Sequence, residues 1–492
     1  MYPPAENHHR LKGTDNYMKS ELTIRFYTPA EIAQITGGSL VPGAAEAVVT
    51  NVCTDSRESC AGSLFCAIRG ERTDGHMYIS RACEAGAACV LAEEMPAEAV
   101  SCAVVLVKDT IRAIGDLASH YRDQAQVRVI AVTGSVGKTT TKEFISAVAA
   151  AGFPTHKTEG NHNNDLGLSM TLFCLEPRHR ISVLEMGMSD LGEIERMSQM
   201  AKPDIALITN IGTSHLASLG TRENICRAKL EITAGMSEGG IVLLNADEPL
   251  LYERASSLKQ NVQLLSIGSH YGDYRGVNIR PLQDGMLFDM ICRDAALTNI
   301  RIPVLGKHNV YNALAAYAVG YILGLSDETI REGLLQFRGA DMRQKIYPLG
   351  DITVIEDCYN ASPESMRAAL DVLASVSARS GGNSAALLGD MLELGEYSRL
   401  MHDQLGQHVA HTKVQKLFCY GMMADVVAEA AIKHGIRAEN VFVCLDTGDP
   451  QTMADMIRQA ICPGDVLLVK ASRGVAAERV IECLKKSYPA QK

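Results

Sequence analysis

Apolar residues along this chain gather in short runs that alternate with longer stretches of helical period. In the middle of the chain VRVIAVTG, ISVLEMG, DIALITNIG, IVLLNAD and VQLLSIG succeed one another. Each run is too short for a helix and reads as a strand buried on both faces. Strand and helix in alternation is the βαβ pattern of a largely parallel sheet. After Gly268 the pattern changes: DYRGVNIRPLQDGMLFDMICRD predicts hairpin strands, followed by a helix from about Asn309 to Gly324. The βα alternation then resumes with ITVIEDCYNA, SAALLGDM, KLFCYG, VFVCLD and DVLLVKASRG. Before the central block, SLFCAIRG, ACVLAEE and AVVLVKD are β-like runs set between helical stretches. The expected class is α/β with three domains. A loose extension over 1–20 precedes an α/β domain at 21–125, a central parallel-sheet domain at 126–338 and a Rossmann-like domain at 339–492.

Length supports this division, because 492 residues exceed one ordinary core. No apolar run is long enough to span a bilayer, so no membrane insertion is expected. The start, MYPPAENHHRLKGTDNYMKS, has no apolar core before a small-residue cleavage site, and so does not read as a secretory signal. It reads as an extension upstream of a second candidate start at Met18. The net charge of -10 argues against a nucleic-acid partner. The 14 cysteines are scattered without a C-x-x-C pair. They read as reduced, mostly buried thiols of a cytoplasmic protein, and no zinc site is expected.

The sharpest local signal runs from Val129 to Thr140, VIAVTGSVGKTT. A buried strand enters a glycine turn that opens a helix with Phe144, Ile145, Val148 and Ala149 on its apolar face. Gly134 and Gly137 let the backbone through Ser135 and Val136 curl, so that amides face one anion at a positive helix end. Lys138 supplies mobile charge for β- and γ-phosphates, the Thr139 hydroxyl suits magnesium, and Thr140 completes the loop. A glycine turn with a surface lysine is the bland alternative, but strand, loop, Lys-Thr and helix in this order favour a nucleotide. The common G-x-x-x-x-G-K-[ST] pattern would place glycine where this chain has Val132.

A triphosphate calls for more cationic charge than one lysine. Glu185, at the end of ISVLEMG, is a hard oxygen donor suited to magnesium. His215 follows DIALITNIG beside Asn210 and Thr213, which makes it a candidate ligand rather than a solvated loop histidine. Lys229, in RAKLEI, reads on its residues alone as part of a solvated helix face paired with glutamates.

Together these segments, from about Leu22 onward, resemble the Mur ligase family. The shortened T-G-x-x-G-K-T-T loop is a form that this family shares with folylpolyglutamate synthases. The resemblance implies that TDSRESCAGSLFCAIRGERTDGH holds the UDP-sugar end of a substrate, through Asp55, Ser56, Arg57 and the loop Gly70 to His76, Asp74 included. It implies that Asn163 and Asn164 of GNHNNDLGL position substrate. Lys229 is expected to carry a CO₂-derived carbamate that helps hold a second magnesium ion with His215, Thr139 and Glu185 holding the first. In GKHNVYNALAA, His308, Asn309 and Asn312 are expected beside the nucleotide base. Arg343 of DMRQK is expected to reach phosphate from across the cleft, and Asp357 to bind ribose. VKASRGVAAERV is similar to a closing K-G-S-R-G motif, with Ala471 in place of glycine and Lys470 and Arg473 kept.

YNASPESM, with Tyr359 and Asn360, and LGDMLELGEYS resemble the member that adds D-alanyl-D-alanine to UDP-N-acetylmuramoyl-tripeptide. The D-N-P-R motif of the ligase adding the third amino acid is absent. The resemblance thus implies an ATP-dependent, monomeric amide ligase working through an acyl phosphate. Lys138, Lys229, His215, Arg343 and Lys470 are its expected catalytic groups. Folylpolyglutamate synthase is the nearest competing reading and should lack the TDSR…GERTDGH block. A regulatory ATPase should carry an acidic pair where Glu185 is followed by Met-Gly-Met. A catalytically dead binding module should have lost Lys138, Lys229 or His215.

Overall fold

A computed structural model describes residues 19–41, 46–70, 73–255, 258, 262–292 and 295–487. Of the extension read over 1–20, residues 1–18 lie outside the described residues, and the reading needs correction at Ser20, which pairs with Val52 at the edge of a sheet. The described strands form three sheets.

The central sheet has nine strands. Its parallel part runs in the order Gln263–Gly268, Ile241–Asn245, Ile205–Ile208, Arg128–Thr133, Ile181–Glu185, Thr155–Lys157. Beyond Gln263–Gly268, the strands Tyr274–Leu282, Gly285–Cys292 and Ala295–Ile302 extend the sheet as an antiparallel meander, in the place where hairpins are expected. Alternate residues of Arg128–Thr133 enter opposite cores: Ile130 and Val132 on one face, Val129 and Ala131 on the other. That two-sided burial is why these strands read as continuous apolar runs. On one face the helix Lys138–Ala150 packs against Lys307–Ile322 and Asp327–Leu335. There Phe144 stacks on Phe337 with ring centroids 3.8 Å apart.

The first sheet has six strands, with Asn51–Cys53, Ser63–Cys66, Cys89–Ala92 and Ala103–Leu106 in parallel. The third sheet also has six, in the order Lys345–Leu349, Ile352–Glu356, Val466–Lys470, Ser384–Gly389, Val414–Tyr420, Val441–Cys444. All of its pairs are parallel except the first. The cores are shared between sheets. One apolar cluster joins Ile130 and Val319 to Leu370 and Leu388, and another joins Ile114 and Leu117 to Met197 and Leu172. The expectation of reduced thiols throughout needs correction at one pair. Cys83 and Cys102 are bonded, their Cα atoms 5.7 Å apart, because the helix Ile79–Glu84 returns beside the approach to Ala103–Leu106. No helix among the described residues is long and apolar enough to cross a membrane.

Candidate functional site

The turn after Arg128–Thr133 is built on two glycines with positive φ. Gly134 has φ 149°, and a Cβ there would lie 1.8 Å from Thr209 Oγ1. Gly137 has φ 85° and caps the helix Lys138–Ala150. The loop is strapped to the segment after Ile205–Ile208. The Ser135 amide donates to Asn210 O (3.1 Å), the Val136 amide to Asn210 Oδ1 (2.9 Å), and Thr209 Oγ1 to Val136 O (2.7 Å). The amides of Ser135 and Val136 are therefore engaged by protein, and those of Lys138, Thr139 and Thr140 form the open end of the helix. Lys138 Nζ donates to Gly134 O at 2.8 Å. Enclosure in the cleft pushes its pKa below the ordinary lysine value; Glu185 opposes that shift and Arg343 adds to it.

Glu185 closes its strand almost fully buried. Its Oε1 accepts from Asn163 Nδ2 at 2.9 Å, while Oε2 is buried without a hydrogen-bond partner. A half-satisfied buried carboxylate, with the Thr139 hydroxyl at the same sheet end, is a donor set that fits a hard divalent cation. No group of three or more His, Cys, Asp or Glu that could hold a metal ion occurs among the described residues. Further ligands would then be phosphate oxygens, water or groups outside that set of residue types.

Lys229 corrects the reading of a solvated helix face. It is 1 % exposed. Burial, and next Lys138, drive its pKa well below the ordinary value. His215 caps the short helix Leu216–Leu219 with φ 64°, and its Nδ1 lies 2.9 Å from Glu393 Oε2 of the third sheet's loops.

A cleft of about 1710 Å³ runs between the central and third sheets, larger than the few hundred to ~1,000 Å³ of a typical small-ligand pocket. Six of the loop residues, Ser135 to Thr140, line it. Opposite them stand Arg343, Asp357, Tyr359, Asn360 and Lys470. Glu185, His215, Lys229, Asn163 and Asn164 are not part of its lining. Arg343 lies over the Tyr359 ring, 4.2 Å from the centroid, between two left-handed residues, Met342 and Gln344. Lys470, expected as a catalytic group, is tied within its own sheet: its Nζ donates to Asp357 Oδ2 (2.7 Å) and Asn360 O (3.0 Å). The asparagines expected beside the base are engaged as well. Asn309 Nδ2 donates to Leu305 O (2.7 Å), Asn312 Nδ2 to Asn309 Oδ1 (2.9 Å), and Thr141 to Asn312 Oδ1 (2.9 Å).

The first-sheet candidates sit at carboxyl ends of parallel strands, away from this cleft. Arg57 is paired with Asp55 through Nε and Nη2, beside the buried Ser56. Gly70 donates to Thr73 O, while Glu71 and Arg72 of that loop lie outside the described residues. His76 Nε2 accepts from the Glu93 amide (2.9 Å), so its Nδ1 donates to Asp74 (2.7 Å). Asn164 caps the helix Asp165–Phe173 through its side chain.

Sequence reasoning missed the supports. Thr158 Oγ1 accepts from the Glu185 amide (3.0 Å), and Thr158 O accepts from the buried Lys142 (2.6 Å). Lys142 falls one turn after Lys138, a spacing that could have marked it. Gln344 bridges Asn309 and Asp357. Glu364 reaches the Thr213 hydroxyl at 3.2 Å across the same junction.

Three family models match in order: Mur ligase family, catalytic domain, at residues 48–122; Mur ligase middle domain at 132–320; and Mur ligase, glutamate ligase domain, at 342–473. The chain belongs to the Mur ligase family. Within it, the chain is 38% identical over 460 residues to the UDP-N-acetylmuramoyl-tripeptide--D-alanyl-D-alanine ligase of Bacillus subtilis, covering 93% of this chain and 98% of the relative. Among solved structures it is similar to MurF from Acinetobacter baumannii, with TM-score 0.85, 32% identity and coverage of 94% and 99%. It is also similar to the MurF ligase of Thermotoga maritima solved in complex with ADP, with TM-score 0.79, 27% identity and coverage of 88% and 97%.

Proposed function

We propose that this chain uses ATP to join D-alanyl-D-alanine to UDP-N-acetylmuramoyl-tripeptide, yielding the pentapeptide, ADP and phosphate. One observation carries the reading. A phosphate loop faces Arg343 across one cleft, in a chain alike along nearly its whole length to a ligase of that name. A carboxylate is a weak electrophile, so it needs a leaving group before an amine can attack. The tripeptide's terminal carboxylate oxygen attacks the γ-phosphorus, and the bond to ADP breaks. The dipeptide's amine nitrogen then attacks the acyl phosphate carbon, phosphate departs, and the amine's proton passes to phosphate or water.

Catalysis here is positioning and charge stabilisation. Lys138 and the amides of the first helical turn hold the β- and γ-phosphates. Arg343 meets them from the third sheet, and Lys470 holds Asp357 in place for the ribose. Asn309 and Asn312 shape the base pocket. Asp55, Ser56, Arg57, Gly70, Asp74 and His76 receive the UDP end, and Asn163, Asn164, Tyr359 and Asn360 guide the peptide end. Thr139 and Glu185 would hold one magnesium ion, and His215 with carbamylated Lys229 another; when bound, magnesium neutralises developing phosphate charge. Burial disfavours the charged ammonium of Lys229 and so favours the neutral amine, the form that adds to CO₂. The domains are assigned as 21–125, 126–338 and 339–492, and the enzyme as a cytoplasmic monomer.

The test is phosphate release from ATP with UDP-N-acetylmuramoyl-tripeptide, adding D-alanyl-D-alanine or single amino acids such as D-glutamate and L-lysine. Release driven by the dipeptide, with a product heavier by one dipeptide less water, is expected. Turnover with a single amino acid instead would move the chain to a sibling ligase. No release with any acceptor would overturn the ligase reading.

A further inference from the structure

The loop after the third-sheet strand Ser384–Gly389 is unusually well anchored for a surface loop. Asp390 accepts from the amides of Met422 (2.8 Å) and Met423 (2.9 Å). The Met391 amide donates to the buried His402 (2.9 Å), and the Leu392 amide to Ser472 Oγ (2.9 Å). The next residue, Glu393, takes φ 63°, a left-handed conformation that side chains other than glycine seldom adopt. This turn aims Glu393 across the domain junction. Its carbonyl accepts from the Ala217 amide (3.3 Å), and its Oε2 lies 2.9 Å from His215 Nδ1. His215 is itself left-handed, at φ 64°. Two strained residues from different sheets therefore face each other, the kind of strain that gathers at functional sites.

Stability does not account for the contact. Glu393 is 62% exposed, and so open a pair contributes little to folding. Orientation does account for it. A carboxylate 2.9 Å from Nδ1 favours a proton on that nitrogen over one on Nε2, which leaves Nε2 as the electron-donating nitrogen of the neutral ring. Histidines that bind metal commonly have their other nitrogen held by a carboxylate in this way.

We propose that Glu393 is a positioning residue for the cation site: it fixes the tautomer and ring of His215 and does so only while the third domain is docked on the central one. The inference rests on the reading of His215 as a metal ligand. It makes cation binding at that histidine conditional on the same docking that brings Arg343 to the phosphate loop.

The experiment titrates Mn²⁺ by electron paramagnetic resonance on the full-length chain, with the β,γ-methylene analogue of ATP present. Glu393→Ala is expected to weaken one class of Mn²⁺ site about tenfold, with affinity for the analogue kept within about twofold. Glu393→Gln retains an oxygen acceptor and should lose less, though still more than about twofold. General loosening of the domains would instead weaken the nucleotide too, and that result would overturn the proposal. So would parental Mn²⁺ binding in both variants while His215→Ala loses a site. Parental Mn²⁺ binding in His215→Ala would remove the metal reading of His215 and the proposal with it. If Glu393→Ala does not fold, Glu393→Gln decides by the same criterion.

Discussion

Gly134→Ala tests how the phosphate loop is built, and its effect divides into parts. At φ 149° the new residue would occupy backbone space that is essentially reserved for glycine, a strain of order 1–3 kcal/mol. The added Cβ would also sit 1.8 Å from Thr209 Oγ1, 3.0 Å from Thr209 Cβ and 3.2 Å from Thr209 N. Rotating Thr209 relieves the first contact but gives up its hydrogen bond to Val136 O, worth about 1 kcal/mol. The other two contacts cannot rotate away, so the loop itself must shift. Together these come to about 2–4 kcal/mol, or roughly 30- to 1,000-fold in affinity if the loss falls on nucleotide binding. Calorimetric titration with ADP measures this, and a thermal melt separates lost affinity from lost fold. Thr209→Ala alone loses only the hydrogen bond, about fivefold. In the double variant the closest clash is gone, so its loss should be smaller than the sum of the two single losses. ADP binding within threefold of the parent in Gly134→Ala, or strict additivity in the double variant, would refute this account of the loop.

Lys229 carries a pH signature. Because its folded pKa is depressed, the unfolded chain binds the extra proton between that value and the ordinary one, and stability rises with pH through this window. In CO₂-free buffer its share of the slope is up to about 1.4 kcal/mol per pH unit. Lys229→Met should remove that share and stabilise the chain at pH 7; urea unfolding at pH 7 and 9 with an unchanged slope would count against it. Tyr359→Leu removes the ring face beneath Arg343 and should weaken ATP use about two- to fivefold, from ~0.5–1 kcal/mol, whereas Tyr359→Phe should keep it. Replacing both Cys83 and Cys102 by serine should lower stability by about 3 kcal/mol for a loop of this length. Thiol titration of the denatured parent should then fall short of all 14 cysteines.

Much of the architecture is legible in the sequence because parallel strands, covered on both faces, leave continuous apolar runs such as VRVIAVTG and DVLLVKASRG. The glycine turn and the helix it opens are legible from the spacing of Gly134, Gly137 and Lys138 alone. Lys229 misleads on its residues because a charge in a helix is most often solvated. Yet it lies one turn after Ile225, and both are buried, so the face was open to inspection. Asn164 reads as a substrate residue through the family resemblance, and its side chain also caps the helix Asp165–Phe173, as asparagine at a helix start often does. The Cys83–Cys102 pair and the Glu393–His215 contact depend on which segments meet in space, and no local period encodes either. Lys470 is recognisable as a residue of interest, but only its bonds to Asp357 and Asn360 mark it as an anchor rather than a free cation.

The charges around the cleft bear on why its cations are divided between two sheets. Lys138, Lys229 and Arg343 act on one another unfavourably: Arg343 lowers the pKa of Lys138, and Lys138 lowers that of Lys229. Three such cations on one rigid element would carry their repulsion into every folded molecule. Arg343 stands instead on the third sheet's side of the cleft, between the left-handed Met342 and Gln344. Glu185 and Glu393, which both raise the pKa of Lys138, offset part of the repulsion from either side of the junction. A triphosphate adds far more negative charge than these two carboxylates, so it favours the arrangement in which the cations converge. Docking and nucleotide binding should therefore be coupled, and reciprocally so. Raising salt should weaken ADP binding by less in Arg343→Ala than in the parent, because one of the converging charges is gone; an equal salt dependence would mean that Arg343 acts on the nucleotide by contact alone.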